Sequence, residues 1–287
     1  MSIETILVPM DGGDACMEVL ETAWIVANRF DAHIEAFHVM PKPGEAEGFL
    51  FPQLPAKLRD TVVAEAVKDA EEKAAQVKSI FDEFCQKYNV TLADKPTSGA
   101  TARWSTGMGH VNDVLVRRAR LTDIVAAPRP ERHASTLRRS PVGDTLEALI
   151  IESGRPLLLV PPGWSARKCE HAAFAWNESP EAARALAMVM PWLKQMSVIS
   201  VLASKKRQES TEILVEYLAW HGVSALVYWL DDKGDTAKEA ITNTCNEIGA
   251  EFLIVGGFSS ARARQRLFGG VTTHLLTHSN IITVMVH

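Results

Sequence analysis

The chain reads as a tandem pair of doubly wound α/β domains, and three observations carry that reading. Apolar runs rich in Val, Ile and Leu alternate with helical stretches, the same order of elements returns in the second half, and each half closes on an apolar strand. Strands of this kind, without strict alternation of polar and apolar residues, belong to parallel sheets covered on both faces.

The elements follow in order. Ile6-Leu7-Val8-Pro9-Met10-Asp11-Gly12-Gly13 is a strand that ends in a turn, followed by a helix from about Ala15 to Asn28 and a strand over His33 to Val39. A long helix from about Pro55 to Tyr88 places Val62, Val63, Ala66, Val67, Ala70, Ala74, Val77, Ile80 and Phe81 at helical spacing. Its outer face holds Lys68, Asp69, Glu71, Glu72, Lys73 and Lys78, read as a solvated surface, with a partner-binding face as the alternative. Trp104, beside Gly107, Met108, Gly109 and His110, marks either a flexible, ligand-facing loop or a ring packed over the neighbouring sheet. A strand over Asp123 to Ala127 runs into Pro128-Arg129-Pro130. Ser140-Pro141-Val142-Gly143-Asp144 then has the form of a helix start, with an N-cap hydroxyl, proline at the first position and a carboxylate in the first turn. Leu157 to Val160 closes the half.

Prolines and Gly163 interrupt the pattern between about residues 161 and 170, which sets the expected domains at 1–163 and 170–287. The second half is expected to carry strands near 172–176, 197–203, 225–230, 252–256 and 281–286, with helices near 180–193, 207–221, 235–249 and 271–278. Unpaired, the two apolar terminal strands would be adhesive edges, so the halves are expected to pack together as an intramolecular pseudo-dimer.

Composition narrows the function. The 287 residues are 47% hydrophobic and 23% charged, as in a soluble globular protein. A net charge of -5 disfavours a nucleic-acid surface, which needs clustered excess Lys and Arg. No run approaches the roughly 18 apolar residues of a membrane span, and the first residues go straight into a strand, so a cytoplasmic location is expected. Cys16, Cys85, Cys169 and Cys245 lack metal-ligand or redox-pair spacing and read as small buried or half-buried thiols. His274 and His278 have the i, i+4 spacing of a metal pair but no partner Glu or third ligand, so packing histidines are the simpler reading.

Near the C-terminus, Glu251-Phe252-Leu253-Ile254-Val255 ends in Gly256-Gly257, and Arg262, Arg264 and Arg266 lead to Phe268-Gly269-Gly270-Val271-Thr272. Backbone N–H groups of such a loop and of a following helix converge on an anion; the alternative is a structural turn.

The opening Ile6 to Asp11, the His38-Val39 end of the second strand and this late glycine loop together resemble the universal stress protein family, as two copies spanning nearly the whole chain. The resemblance implies two tandem Rossmann-like (adenine nucleotide alpha hydrolase-like) domains, each a five-stranded parallel sheet flanked by helices and paired through last strands. Family members bind ATP or lack nucleotide. Carried over, the nucleotide positions of the second half are Asn177, Val201, Val255, Gly256, Ser259, Gly269, Gly270, Val271 and Thr272. Three depart from the pattern: Asn177 replaces an aspartate, Ser259 a glycine, and Gly270 a hydroxyl residue. In the first half, Pro128 and Pro130 remove donors and Asp144 opposes an anion, so triphosphate binding is expected to be lost there. Asp11, Asp14 and Val39 either line a crevice for a different ligand or only cap and face solvent. ATP in the second half, acting on conformation or on an unidentified protein partner, is the leading expectation, with further homodimerisation left open. A nucleotide-free interaction scaffold is the alternative, and a slow ATPase ranks below it because no base or water-orienting residue is evident, so an enzyme is the less favoured class.

Overall fold

The computed structural model describes residues 2–42, 55–130, 141–165, 167–230, 237–257, 274–275 and 279–287. The first half runs β1 (Thr5–Pro9), α1 (Cys16–Phe30), β2 (His33–Met40), α2 (Ala56–Tyr88), β3 (Thr101–Met108), α3 (Val111–Ala119), β4 (Ile124–Pro128), α4 (Pro141–Glu152) and β5 (Leu157–Val160). The second runs β6 (His171–Trp176), α5 (Pro180–Leu193), β7 (Val198–Ser204), α6 (Gln208–Trp220), β8 (Leu226–Leu230), α7 (Ala237–Glu247), β9 (Phe252–Gly256) and β10 (Ile282–Val286).

Local chemistry sets several boundaries. α5 begins where Ser179 caps it, its hydroxyl accepting from Ala182 N at 3.1 Å, with Pro180 at the first helical position. α1 and α2 both end in a left-handed residue, Asp31 and Asn89, whose N–H returns to the last turn. Of the expected helix near 271–278 only residues 274–275 are described, and they are helical; the Ser140 cap lies outside the described residues.

All ten strands form one sheet in the order β3-β2-β1-β4-β5-β10-β9-β6-β7-β8. Each half is parallel throughout and has the same internal order. The halves meet where β5 pairs antiparallel with β10, Leu158 opposite Val284. Strand direction therefore reverses at the junction, and the carboxyl ends of the two sets of strands point to opposite sides of the molecule.

Two hydrophobic cores, one on each face, run across that junction. One joins Ile6, Leu158, Phe174 and Val284, and the other Leu7, Leu157, Leu159, Leu253 and Met285. Beyond the sheet, Arg29 of α1 donates to Cys169 O and the Glu170 carboxylate at 3.0 and 3.1 Å, and Phe30 meets Trp192 edge-on.

Of the two readings of Trp104, the structure bears out the ring packed over the sheet. Trp104 is not on a loop but inside β3, which pairs with β2 over eight positions from His33↔Thr101 to Met40↔Met108. Its ring stacks on His38 and tilts against Phe81 of α2. The polar residues that disguise β3 are those of an edge strand, half in water.

Leu158 is fully buried at the seam. Leu158→Ala is expected to cost about 2–5 kcal/mol. The urea midpoint should fall in one transition for both halves; separate transitions in wild type would contradict a shared core.

Candidate functional site

In a doubly wound half, the chain leaves the first strand toward one edge and later returns to its other side, and the two connections diverge above the carboxyl ends of the strands. In the first half that switch point is an open crevice of about 480 Å³. The ends of β1 and β2 contribute Met10, Asp11, Phe37, His38 and Val39. Ala127 and Pro128 come from β4, His110 to Asn112 from the start of α3, Asp144 to Leu146 and Leu149 from α4, and Lys73 from α2.

Each wall has a reason to be where it is. Asp11 Oδ1 accepts from Gly13 N at 2.8 Å and from Cys16 Sγ at 3.3 Å, which fixes the loop after β1. Gly12 in that loop has φ of 86°, and a Cβ there would stand 2.8 Å from Val77 of α2, so glycine is required. Burial, and then the Asp11 charge, pushes the Cys16 thiol up to about 11, which makes it inert. His38 is buried, its Nδ1 2.6 Å from Met10 O and its ring stacked on Trp104.

α3 is held by a buried carboxylate. Arg118 donates to both oxygens of Glu35 at 2.6 and 2.7 Å, and Arg103 and Ser105 of β3 add bonds at 2.9 and 2.6 Å. Burial alone would raise the Glu35 carboxyl, but the Arg118 and Ser105 hydrogen bonds and the two guanidinium charges hold it below the ordinary carboxylate range. Thr145 Oγ1 donates to Asn112 Oδ1 at 2.6 Å, joining α4 to α3 across the mouth.

At the end where a phosphate would sit, the described residues offer few backbone donors. Pro128 and Pro130 have no N–H, and the N–H of Arg129 is spent on Val160 O at 2.7 Å. Asp144 occupies the first turn of α4, and one turn on, burial and the Asp144 charge raise the Glu147 carboxyl. Asp11 and Val39 do line the crevice; Asp14 is not among its walls.

The second half has the same architecture with different contents. Asn177 follows β6 and accepts from Ser179 N at 3.2 Å, the counterpart of the Asp11 turn. Gly256 ends β9 in register with Trp176, one residue short of Asn177, and a Cβ there would lie 2.5 Å from Ala182 N and 2.7 Å from Glu181 C. Glycine is thus demanded by the first turn of α5, whatever its part in a ligand site. Glu181 is buried in that turn, Oε1 paired with Arg184 at 3.0 Å and Oε2 without a hydrogen-bond partner. Val255 is buried between Ala175 and Met285. Val201 is fully buried in mid-strand opposite Phe174 and Val227, so it faces the core; since Trp176 pairs with Ala203, Ser204 stands next to Asn177. Ser259, Gly269, Gly270, Val271 and Thr272 lie outside the described residues, as do Arg262, Arg264, Arg266 and His278.

Among the described residues there is no cluster of metal-ligating side chains and no helix long and apolar enough to cross a membrane. All four cysteines are free, three of them buried.

These features define a duplicated α/β protein whose sheet carries an open crevice at the switch point of its first half. The sequence model of the universal stress protein family matches residues 2–161, more than half of the chain, and the chain belongs to that family. Its fold is similar to that of a universal stress protein from Archaeoglobus fulgidus DSM 4304, with a TM-score of 0.65 and 13% identity over 99% of this chain and 96% of that one. It is also similar to a functionally unknown protein from Pseudomonas aeruginosa PAO1, with a TM-score of 0.55 and 12% identity over 99% and 92%. No curated protein matches the chain.

Two outcomes follow. Glu35→Gln is expected to cost about 1–3 kcal/mol, less than the roughly 3–5 of a fully enclosed pair, because Arg118 is 39% exposed and screened. A depressed carboxyl stabilises the fold above its ordinary pKa of 4.5 and loses that effect as pH falls through its lower folded value. In urea titrations the gap between wild type and variant should therefore narrow below 4.5 and stay constant above it. Gly256→Ala should cost about 1–3 kcal/mol by overpacking against α5; a neutral thermal shift would contradict the close approach.

Proposed function

We propose that the protein is a non-catalytic module of the stress response whose conformation or partner binding follows occupancy by adenine-type ligands. The observation that carries this reading is the first-half crevice, a cavity of small-ligand size at the one place where doubly wound sheets gather side chains from separated segments. In the second half the proposed ligand is ATP or a related nucleotide. Support for that seat is the spacing of Gly256, Gly269, Gly270 and Thr272 and the meeting of Asn177, Ser204 and Gly256 at the ends of adjacent strands. The departures from the family pattern at Asn177, Ser259 and Gly270 keep the expected affinity modest.

One observation favours an interaction scaffold as a second reading. Ile213, Tyr217 and Trp220 form an exposed stripe along α6 at i, i+4 and i+7, and the outer strand β8 exposes Leu226 and Trp229. Such a surface fits a protein partner.

Calorimetry with ATP decides between them. The expected result is one ATP per chain with a micromolar to millimolar dissociation constant, weakened about tenfold or more by Gly269→Asp, which adds bulk and like charge. Two ATP per chain, or heat unaffected by Gly269→Asp, would reject the second-half seat. If wild type binds no adenine ligand at millimolar concentration, the scaffold reading replaces it.

A further inference from the structure

The geometry points to a phosphate-free ligand of nucleoside size in the first-half crevice, bound through its own amino or hydroxyl donors. This rests on the adenine-ligand reading above and narrows it for this half. The polar atoms that face such a ligand are mostly acceptors. His38 Nδ1 lies 2.6 Å from a backbone carbonyl, which can only accept, so Nδ1 carries a hydrogen, and in the tautomer with its single hydrogen there Nε2 is an acceptor. Nε2 makes no hydrogen bond among the described residues, although His38 is 96% enclosed. Asp11 spends Oδ1 on Gly13 and Cys16 and leaves Oδ2 without a bond, and Asp144 has no ion pair among the described residues.

Among the described residues, backbone donors for an anion are scarce in the same space. Three successive residues, Pro128, Arg129 and Pro130, turn no free backbone N–H toward it, and Asp144 sits on the helix end that would otherwise attract phosphate. Lys73 and His110 at the rim are exposed to water, where their attraction for a phosphate is screened. Between these groups, Phe37, Val39 and Leu149 give a flat ring an apolar bed. The crevice opens on the side of the sheet opposite to the carboxyl ends of β6 and β9, so it fills independently of the second half.

Calorimetry of the full chain with adenosine, AMP and ATP tests this, using wild type, Gly269→Asp, Val39→Trp and Asp144→Asn. Adenosine is expected to bind about tenfold or more tightly than AMP at a site that survives Gly269→Asp and is lost when Val39→Trp fills the bed. Asp144→Asn should shrink the adenosine-over-AMP preference about threefold or more while leaving adenosine itself within about twofold. ATP binding at the Val39-dependent site as tightly as adenosine overturns the inference. So does a protein that binds ATP through Gly269 and shows no heat with adenosine at millimolar concentration, an outcome that leaves the second-half seat standing. Silence with all three ligands removes both readings together. If circular dichroism shows Val39→Trp unfolded, Asp144→Asn decides, and an unchanged preference against AMP overturns the inference.

Discussion

The antiparallel pairing of β5 with β10 is the constraint on which the rest of the molecule depends. Leu157 to Val160 and Ile282 to Val286 are buried on both faces, and neither strand could remain an edge without offering unpaired backbone beside fully apolar side chains. Pairing them satisfies the ladder and lets each core continue from one half into the other. It also has a directional consequence. Two parallel sheets joined antiparallel must present their carboxyl ends on opposite sides, so the two switch points cannot merge into one site or exchange a ligand directly. Any communication between them passes through the shared sheet and its helices, with the Arg29 contacts to Cys169 and Glu170 the polar link at the seam.

The fold was legible because a parallel sheet buried on both faces writes itself as continuous apolar runs, and α5 between them carries its own cap, Ser179 with Pro180. β1, β2, β9 and β10, the full length of α5 and nearly that of α2 appear in the sequence for this reason. β3 did not. As an outer strand it alternates Arg103, Ser105 and Thr106 with apolar neighbours, and its pairing with β2 is a long-range property that no local pattern announces. The other outer strand, β8, was legible because Leu226 to Leu230 is almost wholly apolar, even where it faces water.

The site was legible only at its strand ends. Asp11 and Val39 are marked by the turn that follows a strand and by the end of the next one, and both stand in the crevice wall. Position along a strand cannot be phased from sequence when the strand is apolar throughout. Val201 looked like the residue bordering a ligand, but the register opposite β6 shows it three places too early, with Ser204 beside Asn177. Lys73, Asn112 and Thr145 were invisible as a group, because they come from three helices and meet only in the folded chain. Gly256 shows the converse difficulty. A glycine in a nucleotide signature is also what a helix needs to approach a strand closely, and here Ala182 N presses on it, so its identity alone does not report on phosphate.

Duplication has left one backbone with two chemistries. At the end of the fourth strand of each half, the N–H of the following residue closes on the last strand, Arg129 on Val160 and Gly257 on Val286. That shared bond is structural, and the residues around it are free to differ. In the first half they are prolines facing an acidic helix start, which removes backbone donors at that point while the neighbouring Asp11 and His38 keep acceptors in place. In the second half they are glycines beside Asn177, where replacing a carboxylate by an amide removes one negative charge and adds a donor. The scaffold places a crevice above the switch point of a half, but the sign of the charge its contents can carry is set by a few residues that the fold itself does not require.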